Sequence, residues 1–591
     1  MPRSRLSRSR VASFILFSCL AMLNLAEAEE FLGGYQTSAL GVTRQGTPIE
    51  CLIGKGDLDY GTPKTRILVV GGLDGRTASV EAVRRTMPWF HTGKAALEQR
   101  SRFTLSAIAC GNPDGLKIPQ ASVGDNGSGG DPRHGYPPKS AAYNSPTDPE
   151  AAYLWRWIGM HAPDLVIVVE QGPALRWHAP KDADPRTKKL AAALKADEGG
   201  LADDELATQL VAAAACETGT IPALKLTVTG EEQEFLPALF AAIEASEFSG
   251  PSAARREMQQ RLDRTPLQVA RQLSQHYGHD LKQVVYIPAL ALVARIRLGE
   301  LTADDAHRAD VERIVAPYFS GEKPTSPGNG SALSGHLIFC ELARVTEGER
   351  RARYLELAKS AAKLGLDDDG RPRTSMPFHS EMSDALFMGG PILSRTGRLG
   401  GEPVFYDACS RHLDFMRKLV LREDGLYRHS PLDEAAWGRG NGFPALGMAM
   451  VLSDLPEDHP HRQRWLAAFR EHMQALARHQ DLNGCWHQVI DRPESYRELT
   501  STCMITYAMT RGVRRGWLDA KTYRPIIDRA WYAIRTRAPA DGRLVDVCTG
   551  TGKQKDLRAY YDRTAILGPD ARGGAMALMA AVELAAADAE K

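Results

Sequence analysis

The densest run of reactive side chains is His429-Ser-Pro-Leu-Asp-Glu-Ala-Ala-Trp-Gly-Arg-Gly-Asn-Gly-Phe443. Asp433 and Glu434 bring carboxyl groups for proton transfer, Trp437 a face on which a sugar ring stacks, and Arg439 a fork that grips a carboxylate. Together they suit an acidic sugar. Similar loops flank this one. Residues 376–391 carry His379, Glu381 and Asp384, residues 479–488 carry His479, Trp486, His487 and Gln488, and Tyr496-Arg497-Glu498 follows. Each residue also has a plainer reading. Asp384 stands where a helix start takes a cap, Asp433 and Glu434 where a first turn from Ala435 onward favours negative charge, and the two tryptophans where a core takes an indole. His479 and His487 lack the spacing of a zinc pair, so no metal is expected. His461 and His472 fall off the apolar stripe of their helix pattern and read as surface residues.

Something must hold these loops together, and a repeat supplies it. Turns of Asp/Asn-Gly type recur at Asp369-Gly370, Asp424-Gly425, Asn483-Gly484 and Asp541-Gly542, with glycines 55, 59 and 58 residues apart. Apolar stripes at helical spacing lie between them, as in Phe443, Leu446, Gly447, Met450 and Val451, or Trp465, Leu466, Phe469, Met473 and Leu476. A unit of this length holds two helices and a loop, and the chain beyond a linker at Ser246–Ser252 has room for about six. Six helix pairs closing on themselves make an (α/α)6 barrel; an open α-solenoid is the alternative. Loops loaded with chemistry on one side favour the ring. The half before the linker differs. Buried-strand runs at 66–72, 103–110, 164–169 and 224–229 alternate with helix-like stretches, which predicts an α/β domain with a mainly parallel sheet. Residues 123–148 read as a long surface loop.

The net charge of +1 gives no support for nucleic acid or an anionic membrane as the main partner, and no nucleic acid is expected. Arg3, Arg5, Arg8 and Arg10, then an apolar run from Val11 to Ala26 and a small-x-small site at Ala26-Glu27-Ala28, predict a signal peptide over residues 1–28 and export to the periplasm or beyond. No later run is long and apolar enough to cross a membrane, so no span is expected in the mature chain. The cysteines after residue 28 are scattered without a CxxC pair, which argues against a disulfide framework or zinc knuckle.

Several motifs agree at once. Asp384-x3-Met388-x2-Pro391, Gly425-Leu-Tyr-x-His429, Trp437-Gly-Arg-Gly-Asn441-Gly, Gln480-Asp-x2-Gly-x-Trp-His-Gln488 and Glu498-x-Thr-Ser501 resemble glycoside hydrolase families 88 and 105 over about residues 260–591. These are the unsaturated glucuronyl and rhamnogalacturonyl hydrolases. The resemblance implies an (α/α)6 barrel over 255–591 and a substrate left by polysaccharide lyases, an oligosaccharide ending in a 4-deoxy uronic acid with a C4=C5 double bond. It implies hydration of the vinyl ether: a proton to C4, water to C5, and opening of the resulting hemiketal. By position, Asp433 is the general acid and base and Asp384 the second essential aspartate. Trp437, Arg439, His429, His479, Trp486, His487, Gln488 and Arg497 become contacts to the uronate. No cofactor or metal is implied. Phe443 departs from the family, which usually has Trp there.

Residues 29–250 are similar to carboxypeptidase A-like zinc peptidases at the Gly71–Gly75 strand end, Asn112-Pro-Asp-Gly115, Gly130–Arg133 and the Pro163–Glu170 strand. The zinc positions read Asp74-x-x-Thr77 and Glu170, without histidine, so the domain is expected to lack peptidase chemistry. Glu231 and Glu232 stand near the place of the peptidase base. A metallopeptidase, or a carbohydrate-binding protein without activity, remain the alternative functions.

Overall fold

The computed structural model describes residues 34–54, 56–139, 143–230, 234–378 and 381–590. The signal segment, His379, Glu231 and Glu232 lie outside them. The chain divides into two compact units: Met1–Lys139 with Pro146–Glu257, and Ser140–Ser145 with Met258–Lys591.

Among the described residues, the first unit is built on an eight-stranded sheet. Its strands are β1 (Tyr35–Val42), β2 (Pro48–Gly54), β3 (Thr65–Gly71), β4 (Phe103–Ile108), β5 (Leu165–Gln171), β6 (Arg176–Ala179), β7 (Asp197–Glu198) and β8 (Ala223–Val228), in the order β1-β2-β4-β3-β5-β8-β6-β7. The four expected strands form its parallel centre, β4-β3-β5-β8. The expectation of a mainly parallel sheet needs correction, because β1–β2, β2–β4 and β6–β8 pair antiparallel. The missed strands are the flanking ones. β2 alternates buried and exposed positions, whereas β4 is buried at every position and so reads as one apolar run.

The second unit is helical. Among its described residues, six helices form a closed circuit of neighbours: Tyr286–Thr302, Leu337–Val345, Gly390–Gly400, Gly438–Asp454, Leu499–Arg514 and Ala571–Ala589, the last touching the first again. A second helix backs each of them, running Asp305–Phe319, Gly348–Ala362, Pro403–Val420, Arg462–Ala477, Ala520–Arg537 and Pro266–His276. Composition sorts the two sets. Gly438–Asp454 is buried nearly all round, including Ala445, Met448, Ala449 and Leu452 off the expected stripe, while Pro403–Val420 buries one face. The Asp/Asn-Gly repeat marks returns between helices. Gly370, Gly425, Gly484 and Gly542 all take positive φ, between 77° and 91°. Gly425 N–H donates to Arg422 O, and Gly484 N–H donates to Asp481 O.

Candidate active site

The loops of successive repeats gather at the N-terminal ends of the inner helices. Asp384 opens the short helix Ala385–Met388 but makes no side-chain cap bond. Its side chain is fully buried, and neither carboxyl oxygen has a hydrogen-bond partner. It faces His429 instead, with Nε2 at 3.4 Å from Oδ1. Ser383 N–H donates to His429 O at 2.9 Å, which ties the two loops. The other ring nitrogen of His429, Nδ1, lies 2.9 Å from the Tyr560 hydroxyl. The result is a buried chain, Asp384–His429–Tyr560. Burial holds the His429 imidazole below its usual pKa, opposed by the Asp384 charge. Burial pushes the Tyr560 hydroxyl up to about 12; the Gln554 amide and Arg563 oppose the rise, and Asp433 and Asp384 add to it. Both aspartates therefore act on one phenol.

Asp433 sits on the turn after His429, half-buried, its Oδ1 accepting from Ala435 N–H at 2.8 Å. With Arg422, Glu434, Ala435, Asp491, Arg492 and Leu557 it lines a cavity of about 280 Å³. Glu434 is exposed and pairs with Arg428 at 2.5 Å. The helix that these acids were expected to open begins later, at Gly438, with Trp437 at its N-cap.

Trp437 is fully buried between two guanidinium groups, Arg439 at 4.7 Å and Arg563 at 4.4 Å from its ring centre, with the His429 ring 4.3 Å away. Gln488 is also buried here, donating from Nε2 to Tyr560 O at 3.1 Å. Buried polar atoms without a hydrogen-bond partner concentrate around this centre: Ser383 Oγ, both Asp384 oxygens, Trp437 Nε1, Gln488 Oε1 and Arg563 Nε. Buried polar groups are normally paired, so such a cluster marks a place built to meet a polar ligand.

Other expected contacts make bonds within the protein. Arg439 Nη1 donates to Cys548 O at 2.8 Å and its Nη2 to Gly550 O. Arg497 grips Asp481 from Nε and Nη2, at 3.0 and 2.9 Å. His487 lies between Ser495 O and Asp481 Oδ2, at 2.7 and 3.1 Å. Burial raises the Asp481 pKa, but Arg497 and His487 outweigh it and hold the carboxyl low. Trp486 is core, its Nε1–H donating to Leu476 O at 2.8 Å. Arg497, His487 and Trp486 belong to the hairpin of β9 (Trp486–His487) and β10 (Arg497–Glu498), which these bonds brace. His479 is half-buried after Arg462–Ala477, where burial lowers its pKa and Asp491 opposes. His472 is no surface residue: it is buried, its ring bonding to Gly425 O and Asn441 O. The sequence reading missed Tyr560 and Arg563. Their one signal is Tyr560-Tyr-Asp-Arg563 following the glycine-rich Thr549–Gly552.

In the first unit, the carboxylates at the peptidase-like positions serve internal contacts. Asp74 accepts from Ser79 Oγ–H and Gln171 N–H, both at 2.6 Å, and Glu170 pairs with Lys225 at 2.9 Å. Among the described residues, no three His, Cys, Asp or Glu side chains converge as a metal site.

Residues 253–587 match the model of Glycosyl Hydrolase Family 88. The chain belongs to Glycosyl Hydrolase Family 88. Relatives share parts of this span. The unsaturated 3S-rhamnoglycuronyl hydrolase of Formosa agariphila is 28% identical over 200 residues, 31% of this chain and 52% of the relative. Its namesake from Alteromonas is 24% identical over 245 residues, 38% of this chain and 59% of the relative. The unsaturated rhamnogalacturonyl hydrolase YesR of Bacillus subtilis is 30% identical over 254 residues, 39% of this chain and 70% of the relative. The matched span covers little more than half the length of the first two.

Proposed function

We propose that this family 88 member removes the terminal 4-deoxy, C4=C5-unsaturated uronic acid from lyase-generated oligosaccharides by hydrating the vinyl ether. The observation that carries the reading is the division of labour between two carboxyl groups. Asp433 is half-buried on a cavity wall, while Asp384 is fully buried against the His429–Tyr560 chain. Asp433 gives its proton to C4 and takes one from the water that adds at C5; the hemiketal then opens and releases the sugar. Asp384 fixes His429 and through it Tyr560. Trp437 and Gln488 shape the pocket around the uronate, and Arg439, Trp486, His487 and Arg497 hold its walls. The relatives are unsaturated rhamnoglycuronyl and rhamnogalacturonyl hydrolases, which supports an unsaturated uronyl substrate.

The closed circuit of inner helices, each backed by an outer one, supports an (α/α)6 barrel as the frame of this site. The basic and apolar residues at the start of the chain support export. The test is to incubate the protein with oligosaccharides made by pectin, glycosaminoglycan and ulvan lyases and follow the ultraviolet absorbance of the C4=C5 bond. Loss of absorbance with at least one set is expected. Unchanged absorbance with all three overturns the reading.

A further inference from the structure

The residues assigned above to proton transfer and to the pocket leave one question: what receives the negative charge of the uronate? Arg439 and Arg497 are bound to protein acceptors deep in the walls. Arg563 shares with Arg439 a place over Trp437, a buried Nε and a bond to Gly550 O, but Arg439 also holds Cys548 O, whereas both acceptors of Arg563 lie on one loop. The Arg563 side chain is buried, and its guanidinium carbon lies over Trp437 at 4.4 Å from the ring centre and 5.4 Å from that of Tyr560. It is also close enough to His429 to act on that imidazole electrostatically. Its Nε is buried without a partner. Its two terminal nitrogens donate to two backbone carbonyls on one strap, Nη1 to Gly550 O at 3.1 Å and Nη2 to Gly552 O.

That strap runs from Thr549 to Asp556, Thr-Gly-Thr-Gly-Lys-Gln-Lys-Asp. It follows β11 (Leu544–Cys548) and precedes the short helix Leu557–Tyr561, and it carries no helix or strand of its own. Its start is anchored, with Thr549 N–H and hydroxyl donating to Thr564 O at 2.9 and 3.1 Å and Arg439 Nη2 to Gly550 O, and beyond Gly552 the fastenings are light. Gln554 N–H donates to the Tyr560 hydroxyl at 3.2 Å, and an exposed ion pair of 3.2 Å joins Lys553 to Glu381, three residues before Asp384. Exposed pairs of this kind hold weakly. A glycine at 552 meets nothing within 4 Å where a Cβ would stand, so the strap is not wedged in place there. Asp384, His429 and Trp437 are all fully buried, so a sugar can reach them only if something over them moves.

We propose that Arg563 is the residue that recognises the uronate carboxylate, and that the Gly550 and Gly552 carbonyls stand in for the two carboxylate oxygens until substrate displaces the strap. The chemistry fits: two carbonyl oxygens accept from one guanidinium fork as a carboxylate would, but without its charge, so the anion is the stronger ligand. Its place over Trp437 restricts where the fork can lie. This inference rests on the proposed uronyl hydrolase reading.

The test compares wild type, Arg563→Met and Arg563→Lys on an unsaturated uronyl disaccharide and on its methyl ester, with KM and kcat measured separately. Arg563→Met is expected to raise KM for the acid at least about 30-fold, the scale of a lost charge-assisted fork, with kcat changed much less. It should leave the already poor ester nearly unaffected. Arg563→Lys keeps charge and stem, so it carries the test if the Met variant does not fold, and its KM should fall between the two. Equal losses on acid and ester, or an unchanged KM for the acid, overturn the assignment while the hydrolase reading stands. A wild type inert on both substrates overturns the hydrolase reading and this inference with it.

Discussion

Asp433 and Asp384 differ in chemistry because of their surroundings. In the proposed mechanism the half-buried carboxyl on a cavity wall meets substrate and water, whereas the buried one facing an imidazole orients it. Asp433→Asn should therefore reduce turnover roughly 10²- to 10⁴-fold, the usual worth of general acid–base catalysis. The amide oxygen still accepts from Ala435 N–H, so the thermal midpoint should hold; a variant with wild-type turnover refutes the role. At this scale residue types were legible and allegiances were not. Arg497 and Arg439 sit in motifs that promise a carboxylate grip, yet Asp481 and the Cys548 and Gly550 carbonyls already occupy them. Asp481 lies 16 residues from Arg497 and Cys548 109 residues from Arg439, and local pattern carries no trace of such pairings.

Turns and clamps decide where each loop points. Gly484 has φ of 91°, and a Cβ there would stand 2.0 Å from Arg529 O. Gly484→Ala should destabilise the helical unit by more than the ~1 kcal/mol of an ordinary glycine replacement, read as a drop in the denaturant midpoint. A second clamp is His412 on Pro403–Val420. Its ring bonds to Ala385 O at 2.7 Å from Nε2, and its Nδ1 accepts from Met376 N–H at 3.2 Å. Only the neutral ring satisfies both, and burial pushes its pKa from 6.5 to about 4. The folded value lies below the unfolded one. The stability it confers is thus complete above about pH 6.5 and disappears as pH falls toward 4, on the order of 3 kcal/mol. Unfolding at several pH values should show His412→Gln falling short of wild type at neutral pH and converging on it near pH 4. Parallel curves would rule the clamp out. The Asp/Asn-Gly turns were readable because positive φ demands those residues. The clamp was not, because a buried histidine and a solvated one look alike in a helix pattern.

Within the helical unit, charge is organised across the whole circuit of inner helices. Arg297 binds Glu341 at 2.8 Å, Glu341 binds Arg395 at 3.0 Å, and Arg395 binds Asp454 at 2.6 Å. Arg511 reaches Ser453 Oγ at 3.0 Å and Glu583 at 2.5 Å, and Glu583 acts electrostatically on Arg297. Each inner helix thus gives one member to an alternating chain of three arginines and three acids, at the end away from Asp384 and Trp437. Burial disfavours the charged Glu341, but Arg297, Arg344 and Arg395 hold its carboxyl well below the usual range. Glu341→Gln leaves those cations uncompensated and should cost about 3–5 kcal/mol, seen as a lower thermal midpoint; a midpoint within error of wild type would show the chain to be incidental. The sequence by itself determined the two kinds of unit and the helical repeat, because periodicity and turn chemistry are local properties. Only the tertiary structure decided that the sheet is mixed at its flanks, that Tyr560 completes the Asp384–His429 chain, and which arginines are already bound. Those outcomes depend on partners that meet after the chain folds, so no local pattern encodes them.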